Sequence, residues 1–268
     1  RFFGPTNYSY NIGKVHVVTL KNINYVGHKK YIEAITDADL HWLKRDLSFI
    51  TKGSLVILNM HAAVWNSIEN EGNVRNAGEL ADVLKDYQVH VLTGHTHYFQ
   101  NNAVDAQLME HNIGAACGAW WKSQVNRCGA PNGYLVMDVD GTQLKWHYKS
   151  TGHGMDYQMR VYGKGEMLSQ PQYVVANVWD WDPACKVEWL QDGKPMGMME
   201  KFTDVDEVYA VSKKHQPGLT VTGHLFRALP SSGAKSITVV FTNRFGEKFE
   251  QTVMITNPKV QTRIVAHR

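Results

Sequence analysis

The sequence predicts an α/β sandwich followed by an all-β sandwich domain, divided into residues 1–153 and 154–268. Three observations predict it. Between Val15 and Thr93, apolar β-branched runs alternate with helical stripes in the order strand, helix, strand, helix, strand. Beyond about residue 155 short alternating runs follow one another, separated by turn dipeptides. The change falls at Thr151 to Gly154, which holds two glycines. The length of 268 residues suits two domains at roughly 150 residues each.

Each element follows from local pattern. Val15 to Leu20 is a short apolar, β-branched run and predicts a strand. Thr36 is a capping residue with acids behind it; Leu40, Leu43, Leu47 and Ile50 follow at helical spacing, and Gly53 marks the stop. Leu55 to Leu58 is continuously apolar, as expected of a strand buried on both faces. Leu80, Val83, Leu84 and Tyr87 predict a second amphipathic helix, and Val89 to Thr93 the next strand. Strands are expected at Gln107 to His111 and Tyr134 to Val139, with Asp140-Gly141 turning into Leu144 to Tyr148. The second unit offers Tyr157–Val161, Tyr173–Val178, Val187–Leu190, Thr220–Phe226, Ile237–Thr242 and Lys248–Ile255, with one helical turn around Asp204 to Val211.

Composition excludes several classes. Hydrophobic residues at 43% and charged residues at 20% exclude a disordered chain. The net charge of +3 is scattered, with no basic stripe, so nucleic acid is not an expected partner. No run approaches the ~18 apolar residues that span a bilayer. Cys117, Cys128 and Cys185 form no C-x-x-C pair, which argues against a zinc ribbon or thiol redox site; Cys117 and Cys128 are the nearest candidates for a disulfide. The chain opens Arg1-Phe2-Phe3-Gly4-Pro5 without an initiator Met or signal-peptide pattern, and an upstream segment is expected to have been lost.

Thirteen His residues invite a metal or acid–base role. The strongest signal is Thr93-Gly94-His95-Thr96-His97, directly after a buried strand. In extended backbone, His95 and His97 would project to one side, and Gly94 would permit a sharp turn. His61 ends another buried strand, and ligands of open α/β sheets collect at the carboxyl ends of strands. Alone, His61 reads as a strand-end residue bonded to backbone; beside His95 and His97 it reads as a third metal ligand. Trp120 and Trp121, in the glycine-containing loop downstream, could flank a substrate or pack between the domains.

A strand ending in His, a helix, and a strand ending in Gly-His-x-His resembles the second half of a calcineurin-like metallophosphoesterase. The stretches Phe3 to Tyr10, Leu43-Lys44-Arg45-Asp46-Leu47, Asn59-Met60-His61, Gly118-Ala119-Trp120-Trp121 and Pro131-Asn132-Gly133-Tyr134 agree with it. The last two are similar to a bacterial subgroup whose catalytic domain is followed by a smaller β-sandwich. The first unit would then be a partial metallophosphoesterase α/β sandwich. The resemblance implies hydrolysis of a phosphate mono- or diester through two divalent metal ions that share a bridging hydroxide. It implies that His61 and His95 ligate one ion and His97 the other, with Zn, Mn or Fe equally suited. Trp120 and Trp121 would bind substrate, and a secreted or periplasmic location follows from the subgroup.

The departures matter as much. The family's Asp-x-His, Gly-Asp and Gly-Asn-His-Asp/Glu ligand motifs have no counterpart in a fitting place. Asp39-Leu40-His41 matches the first by letter, but lies on a helical stripe where i and i+2 face apart, and reads as a solvated helix face. Gly72-Asn73-Val74 lacks the His. Part of the site is therefore expected to be missing, making the chain a poor catalyst and its sheet edge a place for another copy or the upstream half. The rival reading is a catalytically silent fragment or binding module with a vestigial metal half-site.

Overall fold

The computed structural model describes residues 4–65, 68 and 73–255. The chain is largely β, with three helices among the described residues. In chain order its first part contains β1 (Tyr8–Ile12), β2 (Val15–Thr19), β3 (Ile23–Gly27), β4 (Lys30–Glu33), α1 (Asp37–Leu47), β5 (Leu55–Ala62), α2 (Ala77–Leu84), β6 (Gln88–Gly94), β7 (Gln100–Ala103), β8 (Leu108–Asn112), β9 (Gly133–Asp140) and β10 (Gln143–Ser150). There follow β11 (Met159–Tyr162), β12 (Val174–Val178), β13 (Lys186–Gln191), β14 (Lys194–Met198), β15 (Glu200–Asp204), α3 (Glu207–Ser212), β16 (Thr222–Ala228), β17 (Ser236–Thr242) and β18 (Lys248–Met254).

Six strands form one sheet in the order β1-β2-β5-β6-β8-β7. The inner four run parallel, and β1 and β7 close the two sides antiparallel. One face is covered by α1 and α2, whose Leu40, Leu43, Leu47, Leu80 and Leu84 share a core with Val18, Val56, Leu58, Val89 and Val91. Fully burying a leucine is worth about 1.5–3 kcal/mol, which explains why the helical stripe dictates the docking face. On the other face Leu144 of the β9–β10 hairpin packs on Val15, Val17 and Leu55, while Trp146 lies edge-on to His90 and His111.

The remaining strands make two antiparallel sheets, β11-β12-β16-β15 and β14-β13-β17-β18. Val161, Val174, Ala176 and Phe226 of the first share an apolar cluster with Val187, Ile237, Val239 and Phe241 of the second. This second core meets the first part through Tyr98, Phe99, Cys128, Ala130, Tyr148 and Trp179, which are all buried in one cluster.

Asp180 sits at this junction. It accepts from Asn101 Nδ2 at 2.8 Å and from the Tyr148 amide at 3.0 Å, and burial pushes its pKa up to about 7. The folded state therefore holds a proton here that the unfolded state has released above about pH 4. Stability should fall as pH rises from about 4 through 7 by a few kcal/mol at most. His90 opposes this: burial lowers its pKa to about 4, so its contribution rises with pH up to about 6.5. Unfolding free energies of the wild type and Asp180→Asn across pH 4–8 separate the two. The wild type should lose stability relative to the variant as pH rises; a pH-independent difference would contradict the assignment.

One expectation needs correction, and one open point is answered. Asp39 is not on a solvated face. It is buried at the start of α1, where its carboxylate accepts from Asn7 Nδ2 at 2.5 Å and from the Thr36 hydroxyl at 2.6 Å. His41 does face solvent, bonded through Nδ1 to the Asp37 carbonyl at 2.9 Å. Cys117 and Cys128 form no disulfide; all three cysteines are free, and Cys128 is buried with Sγ accepting from the Phe99 amide at 3.2 Å.

Candidate metal centre

The parallel pairing of β5 with β6 puts His61 and the turn after Gly94 at the same sheet edge. Register between the two strands shifts between Asn59 and Ala62, an irregularity that re-aims His61. Buried Asn22 clamps it: its Oδ1 accepts from the His61 and Ala62 amides at 3.1 and 3.0 Å, and its Nδ2 donates to the Ala62 carbonyl at 2.7 Å. His95 Nδ1 then lies 2.9 Å from His61 Nε2.

The turn itself differs from the extended backbone expected. Gly94 does not make the bend; His95 and His97 do, with φ of 70° and 54°. The Thr96 amide donates to the Gly94 carbonyl at 2.8 Å across His95, the positive-φ γ-turn that is rare and strained. Such strain in a non-glycine residue costs on the order of 1–3 kcal/mol and persists where surroundings over-determine it. Here Asn112 Nδ2 donates to Thr96 Oγ1 at 2.7 Å, and Arg127 donates from its guanidinium to the Thr96 carbonyl at 3.1 Å and from its amide to the His97 carbonyl at 2.8 Å.

Glu110 supports both strand ends. Fully buried on β8, it accepts from the Val64 and Trp65 amides at 2.6 and 3.0 Å, Thr93 Oγ1 at 2.9 Å and Asn102 Nδ2 at 3.1 Å. Glu110→Gln keeps the shape but turns an amide N–H₂ toward donors. It should cost about 2–4 kcal/mol, since each buried orphaned donor costs about 1–3 kcal/mol. Denaturant unfolding checks this; a loss below about 0.5 kcal/mol, the range of an ordinary surface change, would refute it.

The imidazole pair has its own proton arrangement. His95 Nε2 lies 3.2 Å from Glu33 Oε1 and 3.1 Å from the Tyr31 hydroxyl. A proton on that nitrogen satisfies the carboxylate and leaves the Nδ1 lone pair facing His61. Carboxylate support behind an imidazole is the usual outer support of a metal-ligating His. Burial, then the neighbouring His95, lowers the His61 pKa and favours its neutral, ligating form.

His97 stands differently. Its ring stacks on Trp120 at 4.5 Å and 16°, and its Nδ1 bonds to the Gly118 carbonyl at 2.5 Å, with Cys117 Sγ 3.7 Å away. Nδ1 is therefore the protonated nitrogen and Nε2 keeps the lone pair. Trp120 is 51% exposed and Trp121 is 85% exposed. Trp120 thus lies against the His turn, with the Arg127 guanidinium 5.8 Å from its ring centre, whereas Trp121 stands in solvent and packs between no domains. Both adopt positive φ, at 57° and 60°, which holds this stretch in a tight coil.

Among the described residues, no group of three or more His, Cys, Asp or Glu side chains is placed to hold a metal ion. Among the described residues the donor set is a close imidazole pair with a third imidazole nearby, and the pair alone supplies fewer ligands than a divalent centre takes.

A family model described as the C terminal of calcineurin-like phosphoesterase matches residues 110–249, just over half of the chain. The chain belongs to the calcineurin-like phosphoesterase family. The match runs from Glu110 in β8 through the junction and into β18, so it includes the loop of Gly118, Trp120 and Arg127. The calcineurin-like phosphoesterase family typically uses divalent metals. No curated protein matches the chain. No helix among the described residues is long and apolar enough to cross a membrane.

Sequence reasoning missed Asn22, Tyr31, Glu33, Glu110 and Arg127. Glu110 left one trace, an acid inside the strand expected at Gln107 to His111. Gly72-Asn73-Val74 lies partly outside the described residues.

Proposed function

We propose that the chain carries the imidazole half of a metal-dependent phosphoesterase centre that hydrolyses a phosphate mono- or diester. The single observation behind this reading is the 2.9 Å approach of His61 Nε2 to His95 Nδ1 at the carboxyl ends of adjacent parallel strands. The metal supplies Lewis-acid charge to the phosphate oxygens and an activated water. Around it, Glu33 orients His95, Asn22 fixes the His61 backbone, and Trp120 holds the plane of His97, the ligand assigned to the second ion. Trp120 offers an exposed aromatic face to a substrate, and Trp121 adds a second at the rim.

In this reading residues 1–153 form part of the family's α/β sandwich and residues 154–268 a β-sandwich. The β9–β10 hairpin belongs to the first through Leu144 and Trp146, and exposed Gly152 and Gly154 divide them. Carboxylate ligands and a leaving-group acid come from outside the described residues. The edge strand β1, with Tyr8, Tyr10 and Ile12 exposed, is where such a segment or a second copy pairs. A secreted or periplasmic site of action remains part of the same proposal.

Metal titration tests the half-site. Zn or Mn should bind at about one equivalent, with the His61 proton moving from Nε2 to Nδ1 so that both imidazoles turn a lone pair to one ion. His61→Ala with His95→Ala should abolish that uptake while circular dichroism stays unchanged. Uptake unaffected by the double substitution, or no uptake at all, would favour the silent-module reading.

A further inference from the structure

The carboxyl edge of the six-stranded sheet carries an apolar projection that packs on little else. β3 and β4 pair only with each other, and a two-stranded hairpin is marginal in water by itself. Its base is fixed: Ile23 packs against the first core, and Asn24 Nδ2 donates to the Ala34 carbonyl at 2.7 Å. Beyond the base both faces are bare. Tyr25 and Tyr31 stand opposite each other on one face, and Tyr25 is 71% exposed. Ile32, the neighbour of Tyr31 in β4, points to the other face and is exposed too, as is Val26.

The loop of Trp120 and Trp121 flanks the same short turn. The Tyr31 hydroxyl lies 3.1 Å from His95 Nε2, and the Trp120 ring stacks on His97, two residues on. Hairpin and loop therefore bring their exposed apolar side chains to one edge of the sheet. Such residues scattered singly are ordinary, but six of them on two projections that share a turn make a patch. The charge around it has one sign. Lys29 lies at the hairpin tip, Lys30 opens β4 and Lys122 follows Trp121, and all three are exposed. Glu33 is the one acid within Ile23 to Glu33 or Gly114 to Gln124, and it is turned to His95.

We propose that this edge docks on an anionic lipid surface, with Trp121, Tyr25, Val26 and Ile32 seated among the headgroups and the three lysines meeting the negative charge. Three features select this occupant. Trp and Tyr are the side chains that settle at a membrane–water interface, because each joins an apolar ring to one polar atom. A folded protein would cover one face of the hairpin, whereas a fluid surface receives both. The lysines and the aliphatic residues must be met together: a nucleic acid or acidic peptide would leave Val26 and Ile32 in water, and a neutral sugar would leave the lysines without a counter-charge. The docking stands on this surface alone. One consequence rests on the phosphoesterase reading: a docked edge holds the His pair at headgroup level, so the ester it receives is borne by a lipid headgroup.

Vesicle sedimentation and tryptophan emission test the docking without the reaction. The full chain is mixed, in EDTA, with vesicles of phosphatidylcholine alone or of phosphatidylcholine with phosphatidylserine. It should partition into the anionic vesicles with a blue shift, at least about tenfold more strongly than into the neutral ones, since each lysine near such a surface is worth about fivefold. Lys29→Gln with Lys30→Gln should reduce that preference about tenfold or more. Trp121→Ala should weaken anionic binding about tenfold, the effect of keeping roughly 55 Å² of apolar surface out of water. These side chains are exposed, so the variants should fold, and circular dichroism verifies it. Phe49→Ala is the control: Phe49 is as exposed but precedes β5, at the opposite edge of the sheet, and its loss should change nothing. Absence of anionic binding overturns the proposal, as does binding indifferent to both the lysine and Trp121 substitutions, or an equal loss with Phe49→Ala. A dimer in solution that Trp121→Ala dissolves, without vesicle binding, assigns the edge to a second copy instead. Metal uptake is read separately: a chain that binds vesicles but neither Zn nor Mn keeps the docking and loses the phosphoesterase reading, and the converse result does the reverse.

Discussion

The purified 268-residue chain, supplied with Mn or Zn, should hydrolyse an activated aryl phosphate ester at least about 10²-fold more slowly than a calcineurin-like phosphoesterase with a complete centre. The deficit has two sources. The described residues bring together imidazoles but no bridging carboxylate, so among them a second ion and the water between two ions find no ligand. Among the described residues, the Glu33 carboxylate and the Tyr31 hydroxyl beside the pair are both engaged with His95 Nε2, so neither is free to protonate the leaving oxygen, and general acid catalysis is typically worth about 10²–10⁴-fold. Steady-state turnover of an aryl phosphate, compared with a two-metal member of the family under the same metal load, measures it. Comparable turnover would show that ligands come from residues assigned here to structure, with Glu33 the first to replace.

Gly129→Ala should be strongly destabilising. Gly129 adopts φ of +81°, where alanine is strained by about 1–2 kcal/mol. Its added carbon would overlap the Asp206 carboxylate. That carboxylate is fully buried and cannot swing away. It accepts from the Tyr162 hydroxyl and Asn177 Nδ2, both at 2.7 Å, and caps α3 through the Tyr209 amide at 3.0 Å. Overpacking adds about 1–3 kcal/mol, for a total of roughly 2–5 kcal/mol. At about 2–4 °C per kcal/mol, the thermal midpoint should fall by on the order of 10 °C. Gly141→Ala is the control: φ is +63°, with open space around its Cα, so only the backbone strain applies. Equal losses in the two variants would show that the Asp206 contact carries no energy.

What was legible in the sequence was periodic. Leu40, Leu43 and Leu47 at helical spacing, behind the Thr36 cap, give α1 and its start, although the helix ends at Leu47, short of the expected Ile50 and Gly53. The apolar runs at Leu55 and Val89 give neighbouring parallel strands, and their carboxyl ends bring His61 against His95. The β3–β4 hairpin was not legible, because Ile23 to Gly27 buries no face and the turn uses His28 and Lys29 at φ of 50° and 61°, not Asn-Gly. Its Tyr31 and Glu33 were lost with it, although both reach His95. Glu110 was legible as an oddity but not as a support, since three of its four donors belong to other strand ends. The bend was misplaced onto Gly94 because backbone freedom suggests glycine, whereas here tertiary bonds hold two histidines in the strained region. The exposure of Trp121 has no local signature at all.

Arg127 carries a consequence for engineering. The guanidinium that donates to the Thr96 carbonyl also donates twice to Thr220 Oγ1, at 2.9 and 2.7 Å, and Thr220 lies in the run leading into β16. The shape of the His95 turn is thus borrowed from a part of the polypeptide more than ninety residues away. A chimera that grafted a foreign carboxyl-terminal half after residue 153 would keep His61, His95 and His97 yet lose the Thr220 hydroxyl that holds the Arg127 guanidinium. A graft that keeps the turn's angle would have to carry Thr220 along with Arg127.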